Sequence, residues 1–114
     1  MAAPQTKNAA SSPPPGPPAL AVVVPVLDEA ENLRPLIDEI AAALDEDTDY
    51  EIVYVDDGSG DGTRDRLAAL AAERPRLRWV RHRARQGQSA AIWSGVAAAR
   101  APLIATLDGD GQND

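Results

Sequence analysis

The chain has 114 residues, 18 acids against 11 lysines and arginines, a net charge of -7, 10 prolines and no cysteine. That length allows one domain at most, the acidic balance argues against a general nucleic-acid binder, and the missing thiols exclude disulfides and thiolate metal sites. No apolar run reaches the length of a membrane-spanning helix and no apolar stretch of a signal peptide opens the chain, so the expected location is cytoplasmic.

In chain order, residues 1–18 carry S-S-P-P-P-G-P-P and almost nothing bulky and apolar, which predicts a disordered or polyproline II tail. Residues 19–114 are the part able to pack a core. Ala19 to Leu27 is an unbroken apolar run rich in valine, the pattern of a strand buried on both faces of a parallel sheet. Pro25 cannot donate to a ladder, so the strand is expected to end or reach an edge near it. Asp28 with Glu31 has the spacing of a capping box, and Leu33, Leu36, Ile37, Ile40 and Leu44 then repeat at helical intervals.

Glu51 to Val55 predicts a second strand that runs into the Gly- and Asp-rich loop Asp56 to Thr63. A helix follows from Arg64 until Pro75 stops it, then a weaker strand over Leu77 to Val80 and a basic connection from Arg81 to Gln88. An alanine-rich helix over Ala90 to Arg100 and a strand ending at Leu107 complete the order β-α-β-α-β-α-β. Such alternation implies an α/β fold with a mostly parallel sheet and flanking helices. The acidic loops after Leu27, Val55 and Leu107 then share one sheet edge, where open α/β folds bind ligands.

Asp108 and Asp110 form an Asp-x-Asp suited to a divalent cation, because hard oxygen ligands fit Mg²⁺ or Mn²⁺ shared with a substrate diphosphate. The bland alternative is a solvated acidic turn. Asp57 at a strand end suits a ribose diol or a base edge, against an Asx turn or helix cap built by Asp61 or Thr63. Nine of the eleven bases lie between Arg64 and Arg100, and thirteen of the eighteen acids between Asp28 and Asp61. The basic segment suits a phosphorylated ligand or an anionic membrane surface. Arg85 is its best candidate for a diphosphate contact, against a solvated charged edge. His82 reads as a surface residue, and Trp79 and Trp93 as core or rim packing. No dinucleotide fingerprint and no lysine-bearing phosphate loop is present. The single lysine is Lys7, which excludes a phosphoacceptor signalling domain that needs a pocket lysine.

Four ordered stretches, V-V-V-P-V-L-D-E-A-E-N-L, E-I-V-Y-V-D-D-G-S-G-D-G-T, R-Q-G-Q-S-A-A-I-W-S-G and L-D-G-D-G-Q-N-D, together resemble the family 2 glycosyltransferases. The nearest subgroup is the dolichol-phosphate mannose synthase-like enzymes and their bacterial polyprenyl-phosphate relatives. The resemblance covers about Leu20 to Asp114 and implies the GT-A fold, a Rossmann-like nucleotide-binding half. It also implies that Pro25, Leu27 and Glu29 line the base and ribose pocket and that Asp57 contacts the nucleoside. Asp108 and Asp110 would be the catalytic DxD, and they and Gln112 would hold Mg²⁺ or Mn²⁺. Asp28 departs from the usual Asn or Tyr, and Gly109 and Gly111 from the commoner Ala and Leu.

The implied activity is inverting, metal-assisted transfer of a sugar from a UDP- or GDP-linked donor to a polyprenyl or dolichyl phosphate. That acceptor implies peripheral contact with the cytoplasmic face of a membrane. Family members continue past the DxD into an acceptor-binding half, so the chain reads as an N-terminal piece. The alternative is a truncated, non-catalytic nucleotide-binding module.

Overall fold

The computed structural model describes residues 16–109, so the predicted tail over residues 1–15 lies outside the described residues, as do Asp110 and Gln112. Strand β1 spans Leu20–Val26, a 3-10 turn Ala30–Asn32, helix α1 Leu33–Leu44, and β2 Tyr50–Asp56. Helix α2 spans Thr63–Glu73, β3 Leu77–Arg81, α3 Gln88–Ala98, and β4 Leu103–Thr106. The strands form one parallel four-stranded sheet in the order β3-β2-β1-β4.

The burial pattern follows from the two faces of β1 and β2. Val22, Val24 and Val26 with Tyr50, Ile52 and Tyr54 face one side, where Leu33, Leu36, Ile37 and Ile40 of α1 and Leu67 and Leu70 of α2 cover them. Val23 and Val55 face the other side beneath α3, and Gly95 lets that helix approach so closely that a Cβ there would lie 2.4 Å from a Val23 methyl. Each fully buried Val, Leu or Ile contributes about 1.5–3 kcal/mol relative to exposure. Strand β2 is buried at every one of its seven positions.

Pro25 sits inside β1, a central strand, which the sequence argued against. Its missing N–H faces β4, and the β1–β4 pairing has already ended at Val23 and Thr106. The last hydrogen bond on that side runs from Leu107 N to Val23 O at 3.1 Å. On the other side Asp57 N donates to Val26 O at 2.9 Å, so Pro25 forfeits no ladder bond.

The capping box does not form. The 3-10 turn intervenes, Asn32 is the helix-capping residue, and no side chain caps α1. Asp28 instead takes a left-handed conformation, φ 55°, which Asp tolerates better than most residues. Its amide donates to Ser59 Oγ at 2.8 Å and its carboxylate accepts from Gly60 N at 2.8 Å. The residue that local spacing assigns to a cap therefore stitches two loops together.

Among the described residues, the Tyr54 hydroxyl is buried without a hydrogen-bond partner. Burial pushes its pKa well above the ordinary tyrosine value. Tyr54→Phe removes an unsatisfied polar group without changing shape, and is expected to leave stability unchanged or raise it by up to about 1 kcal/mol. Chemical denaturation reads this directly, and a clear loss of stability would mean that the hydroxyl has a partner in solution.

Candidate functional site

The three strand-end loops meet at the carboxyl edge of the sheet. Between them lies a cleft of about 280 Å³ lined by Pro25, Leu27 and Glu29 after β1, Asp57 after β2, Arg85 and Gln88 around the start of α3, and Asp108 after β4. All six described residues singled out from the sequence, Pro25, Leu27, Glu29, Asp57, Arg85 and Asp108, therefore line one cavity.

The loops are held by side chains acting on backbone. Thr63 Oγ1 accepts from Glu29 N at 3.1 Å. The Asp61 carboxylate accepts from the Thr63 amide at 3.0 Å and from Ala30 N at 3.4 Å. The Thr63 bonds hold the Asp61 carboxyl below the usual range. Asp61 thus makes the local turn expected of it, which leaves Asp57 for another task.

Asp57 is buried, and most of its acceptor capacity serves the protein. Its Oδ1 accepts from Gln86 N at 2.9 Å and meets His82 Nδ1 at 2.8 Å, while Oδ2 accepts from Gly87 N at 2.9 Å. Burial alone would raise its pKa. The His82 and amide hydrogen bonds outweigh that and hold the carboxyl below its usual value. One lone-pair position on Oδ2 remains for a donor group in the cleft.

His82 is no surface residue. Its side chain is 11% exposed and bridges Asp57 to Ser94 of α3, with Nε2 2.7 Å from Ser94 Oγ. Since a carboxylate only accepts, Nδ1 carries a proton and, in the neutral ring, Nε2 accepts from the Ser94 hydroxyl. The bridge clamps the Arg81 to Gln88 connection to both β2 and α3. His82 and Ser94 went unrecognised in the sequence because the contacts that define them span 25 and 12 residues. A lone histidine downstream of a strand-end acid was the one available hint. Trp79 packs at the margin of the core as expected, whereas Trp93 is 74% exposed and packs neither core nor rim.

Asp108 is exposed at the mouth of the cleft, and its Oδ1 accepts from Gln88 Nε2 at 3.1 Å. The following Gly109 is buried against β1, where a Cβ would lie 2.3 Å from a Val26 methyl and 2.9 Å from Pro25 O. The glycine therefore serves close approach to β1 and seats Asp108 against the cleft. No cluster of three His, Cys, Asp or Glu side chains able to hold a metal exists among the described residues. Mg²⁺ and Mn²⁺ do not require one, since one or two carboxylates with substrate phosphates commonly suffice. The donor chemistry fits such an ion. Three carboxylates, Glu29, Asp57 and Asp108, and one guanidinium, Arg85, line the cleft, a balance that favours a cation there.

The profile of glycosyl transferase family 2 matches residues 21–114. Dodecaprenyl-phosphate galacturonate synthase of Rhizobium johnstonii is 40% identical over 97 residues, covering 83% of this chain and 29% of the relative. Undecaprenyl-phosphate 4-deoxy-4-formamido-L-arabinose transferase of Aeromonas hydrophila is 38% identical over 96 residues, covering 82% and 29%. The chain therefore spans less than a third of the length of these curated relatives. Among solved structures, a mannosyltransferase from Pyrobaculum calidifontis in complex with GDP-Man and Mn²⁺ superposes with a TM-score of 0.72. It is 28% identical, with 87% of this chain and 29% of that one covered. Glucosyl-3-phosphoglycerate synthase from Mycobacterium tuberculosis, in complex with Mn²⁺, UDP and glucosyl-3-phosphoglycerate, gives 0.63 at 26% identity, with 81% and 33% covered.

Proposed function

The chain belongs to glycosyl transferase family 2, and from that premise we propose that its cleft binds the nucleoside diphosphate of a sugar donor. The whole enzyme would pass the sugar, with inversion, to a polyprenyl or dolichyl phosphate. The observation that carries this reading is the convergence of Glu29, Asp57, Arg85 and Asp108 on one cavity at the carboxyl edge of a parallel sheet. The relatives named for polyprenyl-phosphate substrates, and the neighbours solved with GDP-Man or UDP and Mn²⁺, support it.

Pro25 and Leu27 offer apolar surface to the nucleoside, and the free position on Asp57 Oδ2 accepts from a base or ribose donor. Arg85 supplies a planar set of donors for a phosphate. Mg²⁺ or Mn²⁺ held by Asp108, with Asp110 and Gln112 of the same motif, would supply neutralisation of charge on the departing nucleoside diphosphate. In the transfer, a phosphate oxygen of the acceptor forms the new bond to the anomeric carbon as the bond to the diphosphate breaks. That oxygen is already anionic, so no strong base is required. No described helix is long and apolar enough to cross a membrane. In this reading a lipid-phosphate acceptor is met at the cytoplasmic face of a membrane.

Calorimetric titration of the chain with UDP and with GDP, each with and without Mn²⁺, tests the reading. One nucleotide should bind in a metal-dependent way, and both Asp108→Ala and Asp110→Ala should remove the metal-dependent part of the affinity. A folded chain that binds neither nucleotide under any of these conditions overturns the proposal. Binding without sugar transfer to a polyprenyl phosphate would identify a nucleotide-binding module instead.

A further inference from the structure

The fold neutralises its own basic residues unevenly. Toward the amino edge of the sheet Arg76 pairs with Asp49 at 2.9 Å and Arg78 with Glu51 at 2.7 Å, and Arg100 lies 3.8 Å from Glu51. Arg74 pairs with Asp38, and Arg34 with Glu73 at 3.4 Å. At the carboxyl edge, Arg81, Arg83 and Arg85 make no ion pair with any described residue, and Arg64 reaches only its exposed neighbour Asp65 at 3.7 Å. Arg85 lines the donor cleft. Arg64, Arg81 and Arg83 do not; they line a second groove of about 280 Å³ whose floor is the loop Gly58 to Gly62.

The two cavities are separated by one layer of backbone. Gly58, with φ 88°, lies on the second groove, and a Cβ there would meet Arg85 N at 2.7 Å and Ala84 C at 3.0 Å. The loop after β2 thus packs directly on the connection before α3, with Arg85 on one side and Arg81 and Arg83 on the other. Arg64, Arg81 and Arg83 line one groove beside Asp65, and the two further carboxylates at its floor are each engaged by a floor amide, Asp28 by Gly60 N at 2.8 Å and Asp56 by Ser59 N at 2.9 Å. In a chain of net charge -7, such a patch is local, and it lowers the energy of an anion only where the arginines converge. Because the Ser59 and Gly60 amides of the floor already serve Asp56 and Asp28, the donors left for an anion are the arginine side chains.

We propose that this groove is a second anion site, distinct from the donor cleft, which takes a phosphate monoester between Arg64, Arg81 and Arg83. Its source is either a lipid headgroup or a soluble phosphate, since both present the same dianionic group to the arginines.

The test is amide-resolved NMR titration of the chain with inorganic phosphate, beside co-sedimentation with phosphatidylcholine vesicles with or without phosphatidic acid. Phosphate is expected to shift the amides of Ser59, Gly60, Arg81 and Arg83. The double variant Arg81→Gln/Arg83→Gln should weaken that binding by about tenfold or more, and Arg85→Gln should leave it within about twofold. Should the double variant lose its fold, the single variants Arg81→Gln and Arg83→Gln each lower the affinity severalfold. Sedimentation only with phosphatidic acid vesicles assigns the groove to a lipid headgroup, and phosphate binding without sedimentation assigns it to a soluble ligand. Shifts confined to Arg85 and Gln88, or affinity unchanged in the arginine variants, overturn the second site. Nucleotide titration of the same samples reads the donor cleft independently.

Discussion

Glu51→Ala is expected to destabilise the chain by about 2–4 kcal/mol, since each part-buried donor left without its acceptor costs about 1–3 kcal/mol. Glu51 is 2% exposed, the second residue of β2, a strand buried along its whole length. Its Oε2 accepts from Arg100 N at 2.6 Å and Ala101 N at 3.0 Å, while Oε1 accepts from Arg78 Nη1 at 2.7 Å. Arg78 Nη1 in turn donates to Ala98 O at 2.9 Å, so one carboxylate joins β2, β3 and the turn between α3 and β4. Alanine would leave two amides without their acceptor and Arg78, whose side chain is 38% exposed, with Ala98 O and solvent. For a domain of this size, whose total stability is about 5–10 kcal/mol, such a loss shifts the melting temperature by more than about 8 °C. Glu51→Gln retains one acceptor and is expected to fall between wild type and alanine.

The same residue sets a pH dependence. Burial by itself would raise the Glu51 pKa, but the amide and Arg78 hydrogen bonds prevail and hold it below the ordinary value. A carboxyl whose folded pKa lies below its unfolded one contributes stability in full above the unfolded pKa. It loses that contribution as pH falls through the folded pKa. Asp57 acts in the same direction. Melting temperature should therefore fall steeply as pH drops below about 4.5, and the slope should be shallower in Glu51→Gln. A profile of equal slope in the variant would remove Glu51 from the account.

The second large effect concerns Asp57→Asn. Asn offers one oxygen and one NH₂ group where three donors now converge, so the NH₂ must face either Gly87 N or the His82–Gln86 pair. A donor facing a buried donor costs about 1–3 kcal/mol, and the lost charge adds to it. Because those bonds position the segment that carries Arg85, nucleotide affinity is expected to fall by more than about tenfold. His82→Ala should weaken binding less, since it leaves both amide bonds intact. Calorimetry on variants confirmed as folded by circular dichroism measures both, and an Asp57→Asn chain with wild-type affinity would show the segment to be held by other means.

By itself, the sequence determined the order of elements, the parallel α/β class and the edge on which the acidic loops gather. Those features rest on periodicity and on turn chemistry, which act over a few residues. The valine run of β1 and the helical repeat of α1 were legible for that reason. So were Asp57 and Asp108 as acids of one edge, because strand ends in a parallel sheet share it; Arg85 was expected there from its charge, and Pro25, Leu27 and Glu29 from the resemblance alone.

Tertiary structure alone decided what each side chain does there. Asp28 forgoes the capping box for a partner 32 residues away, and Glu51 binds amides 49 and 50 residues away. Pro25 is tolerated in a central strand because β4 stops short of it. His82 leaves the surface because Asp57 and Ser94 close on it from two elements. In each case a buried polar group is satisfied by whichever donor or acceptor the packed elements bring within about 3 Å, and distance along the chain carries no record of that choice.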